Sequence, residues 1–203
     1  MSKYEGFIDV AENIFKDIYP QIAKNITTFF KKQSGTVVEI GCGSAILSRN
    51  LYNFGNYRIF ALDLELDMIL SAKKFIEKEN KSTILPIVAN VEAIPFKSNF
   101  ADLVISRGSM FFWEDKVQAF KEIYRILKKS GITYIGGGFG NKDLKEKIHK
   151  VMSEKNPNWQ NQVQERLKQT NPQIIKDILQ KSNIETYKII NDESGFWIII
   201  TKE

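Results

Sequence analysis

The sequence has little of what several large classes of protein require. Cys42 is the only cysteine and His149 the only histidine among 203 residues, which excludes an intramolecular disulfide and disfavours a metal site. The longest stretch free of charged side chains, 130–141, is shorter than the roughly 20 apolar residues of a membrane-spanning helix. The first residues form no apolar signal core. We therefore expect a cytoplasmic protein with no membrane span and no bound metal.

The excess of basic side chains is small. The chain carries 29 lysine and arginine residues against 24 aspartate and glutamate residues, a formal net charge of +5. This excess is spread along the chain and forms neither a basic tail nor a lysine run. A nucleic-acid partner is therefore disfavoured but not excluded, because folding can gather lysines on one face. With 43% hydrophobic residues, the composition is typical of a folded globular protein.

Hydrophobic periodicity divides the chain into alternating helices and strands. A helical pattern over 7–32 contains Pro20, which is expected to split or kink it. The pattern then predicts five strands separated by helices: 36–40, 57–62, 84–89, 101–106 and 132–136. After Gly140 it predicts three helices and a closing antiparallel hairpin: 142–154, 158–169, 172–182, 185–190 and 196–201. This order indicates an α/β fold with a parallel sheet and right-handed crossovers.

The segment Glu39-Ile40-Gly41-Cys42-Gly43-Ser44-Ala45, between the first strand and its helix, is the most informative. Glycines there let the backbone approach a ligand closely. A dinucleotide fingerprint would need a third glycine where Ile46 stands, so that interpretation fails. Asp63 ends the second strand about 20 residues after Gly43, where an acidic side chain can accept hydrogen bonds from ribose hydroxyls. The glycine segment could instead be a turn that binds no ligand, and Asp63 could be a residue that only caps the next helix. The occurrence of both features in this order and at this spacing argues against the two alternatives.

This order of motifs resembles the class I S-adenosylmethionine-dependent methyltransferases. The resemblance rests on five segments: Val38–Ser44, Ala61–Asp63, Val91–Phe96, Phe100–Ser106 and Ala119–Gly131. It implies a Rossmann-like three-layer sandwich with a mostly parallel seven-stranded sheet and an antiparallel C-terminal hairpin. The single domain over 1–203 would contain four parts: N-terminal helices at 1–33, a cofactor-binding core at 36–140, an inserted helical lid at 141–170, and the last helix and hairpin at 171–203.

The resemblance also implies S-adenosyl-L-methionine as the cofactor and assigns residues to it. Gly41 and Gly43 would let the backbone pass the methionine and ribose parts, with Glu39 beneath the loop near the amino end. Asp63 would hold the ribose hydroxyls. The other implied contacts are Cys42 in the loop, Leu64 and Met68 against the adenine, Asn90, Val91 and Glu92 at its amino edge, and Ser106 and Arg107 near the methionine moiety and substrate.

The sequence departs from the family pattern at two of these motifs. Asn90 stands where the family usually has an aspartate that bonds the adenine amino group, and its amide oxygen can still accept that bond. Ala45 stands where a third glycine is common. We expect weaker charge assistance at the adenine and no loss of cofactor binding.

Features near the carboxyl ends of the later strands bear on the methyl acceptor. Phe111, Phe112 and Trp113 follow the fourth strand, and we expect one of them to line the substrate pocket while the others pack. The glycines of 136–140 indicate either close backbone approach or a hinge for the helices beyond, and the hinge is preferred.

Absent motifs narrow the acceptor. The Asn/Asp-Pro-Pro-aromatic motif of amino-methylating members is replaced by Ser106-Arg107-Gly108-Ser109, and arsenic-methylating members need several cysteines. The resemblance therefore implies methyl transfer to a small-molecule acceptor. An RNA or protein acceptor and a non-catalytic module that only binds the cofactor stay open. The sequence marks no general base and does not indicate an oligomeric state.

Overall fold

A seven-stranded sheet forms the centre of the computed structural model, which describes residues 4–169 and 171–203. The strands are β1 (Ser34–Ile40), β2 (Asn56–Asp63), β3 (Ile84–Val88), β4 (Ala101–Arg107), β5 (Leu127–Gly138), β6 (Tyr187–Asp192) and β7 (Gly195–Ile200). Their order in the sheet is β3-β2-β1-β4-β5-β7-β6. Strands β1 to β5 pair in parallel, whereas β7 pairs antiparallel with β5 and β6. The predicted α/β class, strand number and antiparallel closing hairpin are confirmed.

Helices cover both faces of this sheet. They are α1 (Glu5–Asp9), α2 (Ile18–Phe30), α3 (Ile46–Leu51), α4 (Leu66–Lys78), α5 (Lys116–Ile126), α6 (Lys142–Lys155), α7 (Trp159–Gln169) and α8 (Pro172–Lys181). Alternate strand residues enter opposite core layers, with Val37 among residues of α2, α3 and α4 and Val38 among residues of α5 and α8. Burial on both faces explains the nearly continuous apolar character of β1.

The N-terminal helices break at a different residue from the one that the sequence indicates. A π-helical turn over Val10–Ile14 follows α1, and α2 begins at Ile18. Pro20 therefore lies in the first turn of α2 and does not divide it. Proline is tolerated there because the first amides of a helix have no intrahelical acceptor, so its missing N–H costs nothing.

The glycines at the end of β5 permit close contact with β7. A Cβ atom at Gly136 would lie 2.0 Å from the carbonyl oxygen of Phe196, and one at Gly138 would lie 2.2 Å from that of Ser194. Close backbone approach, the less preferred interpretation of the sequence, accounts for these two glycines. The hairpin beyond them closes more tightly than predicted, since β6 and β7 pair as far as Asp192 and Gly195.

The segment between β5 and α8 forms helices as predicted. Ile148 and Met152 of α6 and Trp159 of α7 are buried in the same core cluster as Phe15, which precedes α2. The segment therefore packs beside the N-terminal helices over one end of the sheet. Across the described ranges 4–169 and 171–203, no helix is both long and apolar enough to cross a membrane.

Candidate functional site

The sheet order creates a crevice at the carboxyl ends of β1 and β4. From β1 the chain continues outward to β2 and β3 and then crosses back to β4, so the direction of winding reverses between β1 and β4. Ligands of open α/β sheets bind at such a reversal. The loop 41–45 follows β1 there, and Ser109 after β4 donates a hydrogen bond to the Ile40 carbonyl at 3.1 Å.

Glycine stands at positions 41 and 43 for different physical reasons. Both have positive φ, at 65° and 55°. A Cβ at Gly41 would lie 2.2 Å from Cβ of Ser109, whereas a Cβ at Gly43 would meet nothing within 4 Å. Gly41 is therefore required by packing within the protein. Gly43 faces open space, where a ligand can approach its backbone.

Asp63 lies beside this open glycine. Its Oδ2 accepts a hydrogen bond from the Gly43 amide at 2.8 Å, and its Oδ1 accepts one from the Glu65 amide at 3.1 Å. Burial raises the pKa of Asp63 despite both bonds. A carboxylate has about four lone-pair positions, so these two bonds leave acceptor capacity for hydroxyl donors. The structure thus joins the predicted glycine loop and the predicted ribose acceptor, and Asp63 also holds the start of α4.

Glu39 lies beneath the loop and is only 3% exposed. Its Oε2 accepts hydrogen bonds from the amide of Ser48, at 3.1 Å, and from the Ser48 hydroxyl. Burial raises the pKa of Glu39 to about 8, and the nearby charge of Asp63 acts in the same direction. Two carboxyl groups with raised pKa values favour a ligand that brings positive charge and hydroxyl donors. Cys42, whose thiol pKa is raised well above its usual value by burial, is an inert part of the same loop.

The residues predicted at the adenine form the rim beyond Asp63. Leu64 is 62% exposed, and Met68 is partly buried in the first turn of α4. Asn90 accepts a hydrogen bond from the Glu92 amide at 2.8 Å, and Glu92 accepts one from the Asp115 amide at 2.9 Å. The exposed apolar surface suits a planar ring. The Asn90 side chain fixes the backbone turn that begins at the buried Val91, and the Glu92 side chain joins this turn to the start of α5.

Some residues at the end of β4 and after it pack in the protein interior, and others lie on the side of the crevice where the acceptor is expected. Ser106 is buried and shares a 2.7 Å hydrogen bond with Ser109. Trp113 is buried against Phe120, with ring centroids 5.7 Å apart, while Phe112 is 66% exposed. Phe111 lies beside Gly137, where a Cβ would be 3.5 Å from the phenyl ring. Among the three aromatic residues singled out in the sequence, Phe111 is therefore the one beside the end of β5.

Sequence reasoning missed the residues that cover the crevice from the N-terminal side. Glu12 accepts a hydrogen bond from the Ser44 hydroxyl and forms an ion pair with Arg49, which also pairs with Glu79. Arg49 is 5% exposed. No spacing or motif marks Glu12, because its partners belong to other elements.

A cluster of aromatic residues covers the same end of the sheet. Phe15 contacts Phe139 after β5 and Trp159 of α7, with ring centroids 6.0 and 6.2 Å apart. His149 of α6 lies within 5.4 Å of the Phe139 ring, and burial lowers its pKa. These contacts join the N-terminal region to the inserted helices above the carboxyl ends of β4 and β5.

The fold and the site define a Rossmann-like α/β domain that binds a ligand at the reversal point of its sheet. The sequence profile of the family described as "Methyltransferase domain" matches residues 38–135. The crystal structure of a protein from Methanococcus maripaludis, assigned to the S-adenosyl-L-methionine-dependent methyltransferases, superimposes with a TM-score of 0.94. The two chains are 42% identical, over 98% of this chain and 91% of that one. The chain belongs to the class I S-adenosylmethionine-dependent methyltransferases.

Curated relatives are more distant. A malonyl-[acyl-carrier protein] O-methyltransferase of Priestia megaterium is 28% identical over 74% of this chain and 52% of its own length. An uncharacterized chloroplastic methyltransferase of Arabidopsis thaliana is 32% identical over 55% of this chain and 33% of its own length. The chain thus spans between a third and about half of the length of these two relatives, so they do not identify its acceptor.

Proposed function

We propose that the crevice between β1 and β4 binds S-adenosyl-L-methionine and that the protein transfers the methyl group to a small-molecule acceptor. The observation that carries the cofactor assignment is the contact between Asp63 and the amide of Gly43, beside open space. Asp63 would accept hydrogen bonds from the ribose hydroxyls, and the carboxyl group of Glu39 would face the ammonium group. The residues proposed at the adenine are Leu64, Met68, Asn90, Val91 and Glu92; Gly41, Cys42 and Ser106 complete the walls of the crevice.

The protein's part in the reaction would be to bind, align and exclude water. When bound, the cofactor supplies an electrophilic methyl group on a positively charged sulfur. The acceptor's lone pair must approach opposite the carbon–sulfur bond that breaks, so alignment in a dry site supplies much of the rate. Phe15, Phe111 and Phe139 provide apolar surroundings at the carboxyl ends of β4 and β5. Coverage of this end by α6 and α7 favours a small acceptor over a macromolecule.

Calorimetric titration with S-adenosylhomocysteine, the demethylated product, tests the cofactor site. We expect the wild-type protein to bind it and Asp63→Ala to bind it roughly 10- to 100-fold more weakly, a loss of about 1.4–2.8 kcal/mol, because two ribose hydroxyls lose their acceptor. Asp177→Ala, the same change at an exposed residue of α8, is the matched control. An absence of binding by the wild-type protein would overturn the proposal.

A transfer assay with methyl-labelled cofactor tests the acceptor class. Label recovered in small molecules from a metabolite extract supports the proposal. Label recovered only in RNA or in protein contradicts the small-acceptor part, and tight cofactor binding without any transfer contradicts the catalytic part. The expected cytoplasmic location stays a prediction, which cell fractionation tests.

A further inference from the structure

The guanidinium group of Arg107, at the end of β4, is surrounded by aromatic rings. It lies 4.9 Å from the ring centroid of Phe15, 5.5 Å from that of Tyr19 and 5.9 Å from that of Phe139. Its hydrogen bonds go to the Gly138 carbonyl, at 3.3 and 3.4 Å, and to the Tyr19 hydroxyl, at 3.4 Å. The side chain is partly buried, between the N-terminal region and the end of β5.

Within residues 4–169 and 171–203, no carboxylate forms an ion pair with this guanidinium group. In that part of the chain, the hydrogen bonds of Arg107 are the three long ones to neutral oxygens. Arg49 and Arg125 differ, since each forms an ion pair with a glutamate. A partly buried guanidinium without a counter-ion is costly, and its planar fork of donors matches a carboxylate. Arg107 is therefore suited to pair with an anion that arrives from outside.

A group on the covering helix α7 has the same preference. The indole nitrogen of Trp159 is buried without a hydrogen-bond partner in the described part of the chain, and its ring contacts Phe15. A buried donor left unpaired costs about 1–3 kcal/mol. An arginine without a carboxylate partner and an unused donor at one cluster of aromatic rings favour a ligand with negatively charged oxygens.

We propose that Arg107 binds a carboxylate group of the methyl acceptor, so that the substrates are small organic acids. The aromatic surroundings suit a singly charged carboxylate on an apolar body better than a doubly charged, strongly hydrated phosphate. This assignment rests on the proposed methyltransferase function. It gives Arg107 a role in acceptor specificity in place of the cofactor contact that the family resemblance implies.

The test uses the full chain saturated with S-adenosylhomocysteine and titrated with acetate, succinate and benzoate, each paired with its neutral amide. We expect at least one acid to bind at least 10-fold more tightly than its amide. In Arg107→Met that acid should bind 10- to 100-fold more weakly, while the affinity for S-adenosylhomocysteine changes less than 2-fold. Arg58→Met, the same change at an exposed arginine of β2, is the control and should alter neither affinity.

A second source of a carboxylate is the methionine part of the cofactor, and 5′-methylthioadenosine, which lacks that part, distinguishes the two. If Arg107→Met weakens S-adenosylhomocysteine but not methylthioadenosine, Arg107 binds the cofactor's carboxylate and the acceptor assignment is overturned. Equal binding of acids and amides, or no binding of any acid, also overturns it. Failure of the wild-type protein to bind S-adenosylhomocysteine would instead refute the proposed function.

Arg107→Lys keeps the test valid if Arg107→Met does not fold. The lysine retains the charge over the rings but loses the planar fork, so we expect an intermediate loss of acid affinity. Unchanged acid binding in Arg107→Lys would contradict the proposal.

Discussion

At the scale of single residues, the site combines acidic groups whose pKa values are raised by burial. Glu39 is enclosed beneath the glycine loop with Ser48 as its hydrogen-bond donor, and Asp63 is partly buried beside Gly43. Each carboxyl group has a task that the family resemblance implies. Burial of these carboxyl groups also makes the stability of the protein depend on pH, which the resemblance does not imply.

Glu39 is expected to make the protein less stable as the pH rises. The unfolded chain releases this proton near the usual pKa of 4.5, whereas the folded protein retains it up to about 8. Between these values the unfolded state binds fewer protons, so the free energy of unfolding falls with rising pH, by up to about 1.4 kcal/mol per unit. Denaturant unfolding at pH 5, 6.5 and 8 should show a smaller fall for Glu39→Gln than for the wild type. Parallel profiles would contradict the expectation.

At the scale of elements, the loop between β1 and α3 contains two glycines with different roles. Packing within the protein requires Gly41, whereas Gly43 faces the space open to a ligand. Gly41→Ala brings a methyl group against Ser109, whereas Gly43→Ala points a methyl group into open space. Both changes carry the strain of a left-handed backbone, about 1–2 kcal/mol. Because of the additional clash, Gly41→Ala should be the less stable of the two variants. Because its methyl group enters the space open to a ligand, Gly43→Ala should be the one that loses ligand affinity.

We expect Gly41→Ala to lower the free energy of unfolding by about 3 kcal/mol and Gly43→Ala by about 1 kcal/mol. Calorimetry should show a loss of S-adenosylhomocysteine affinity of 10-fold or more for Gly43→Ala. Adding Ser109→Gly to Gly41→Ala removes the side chain that clashes and should recover part of the lost stability. Equal destabilisation of the two single variants would show that the contact with Ser109 is unimportant.

At the scale of the whole molecule, Glu12 joins the N-terminal region to the glycine loop and to α3. This residue bonds Ser44 of the glycine loop and Arg49 of α3, while Arg49 extends the network to Glu79 after α4. Arg49 is almost fully buried, so loss of one partner leaves its charge less well compensated. The network couples the cover of the crevice to the loop at its base.

Glu12→Ala is expected to lower the free energy of unfolding by about 1–3 kcal/mol, because it removes one counter-ion of a buried guanidinium. Asp9→Ala, at an exposed residue of the same region whose side chain accepts a bond from Asn13, should change it by less than about 0.5 kcal/mol. Denaturant unfolding measures both. Amide exchange in α2 should rise in Glu12→Ala alone, and similar effects of the two changes would contradict a specific fastening.

Element order and type could be predicted because they depend on local pattern. The β-branched run of β1, the glycines after it and Asp63 at the end of β2 are near neighbours in the sequence or lie one strand–helix unit apart. Element bounds were less predictable. Sheet pairing extends β5 back to Leu127, and Pro20 is accommodated in the first turn of α2 because amides there need no acceptor.

The sequence by itself determined the α/β order, the glycine loop and the acidic residue at its side, since short-range spacing and backbone conformation dictate them. Only the tertiary structure decided what covers the crevice. Arg107 and Tyr19 are 88 residues apart in the chain and Glu12 and Arg49 are 37 apart, and no periodicity relates them. Their contacts arise from the packing of whole elements, which brings the N-terminal helices and the inserted helices to the same end of the sheet.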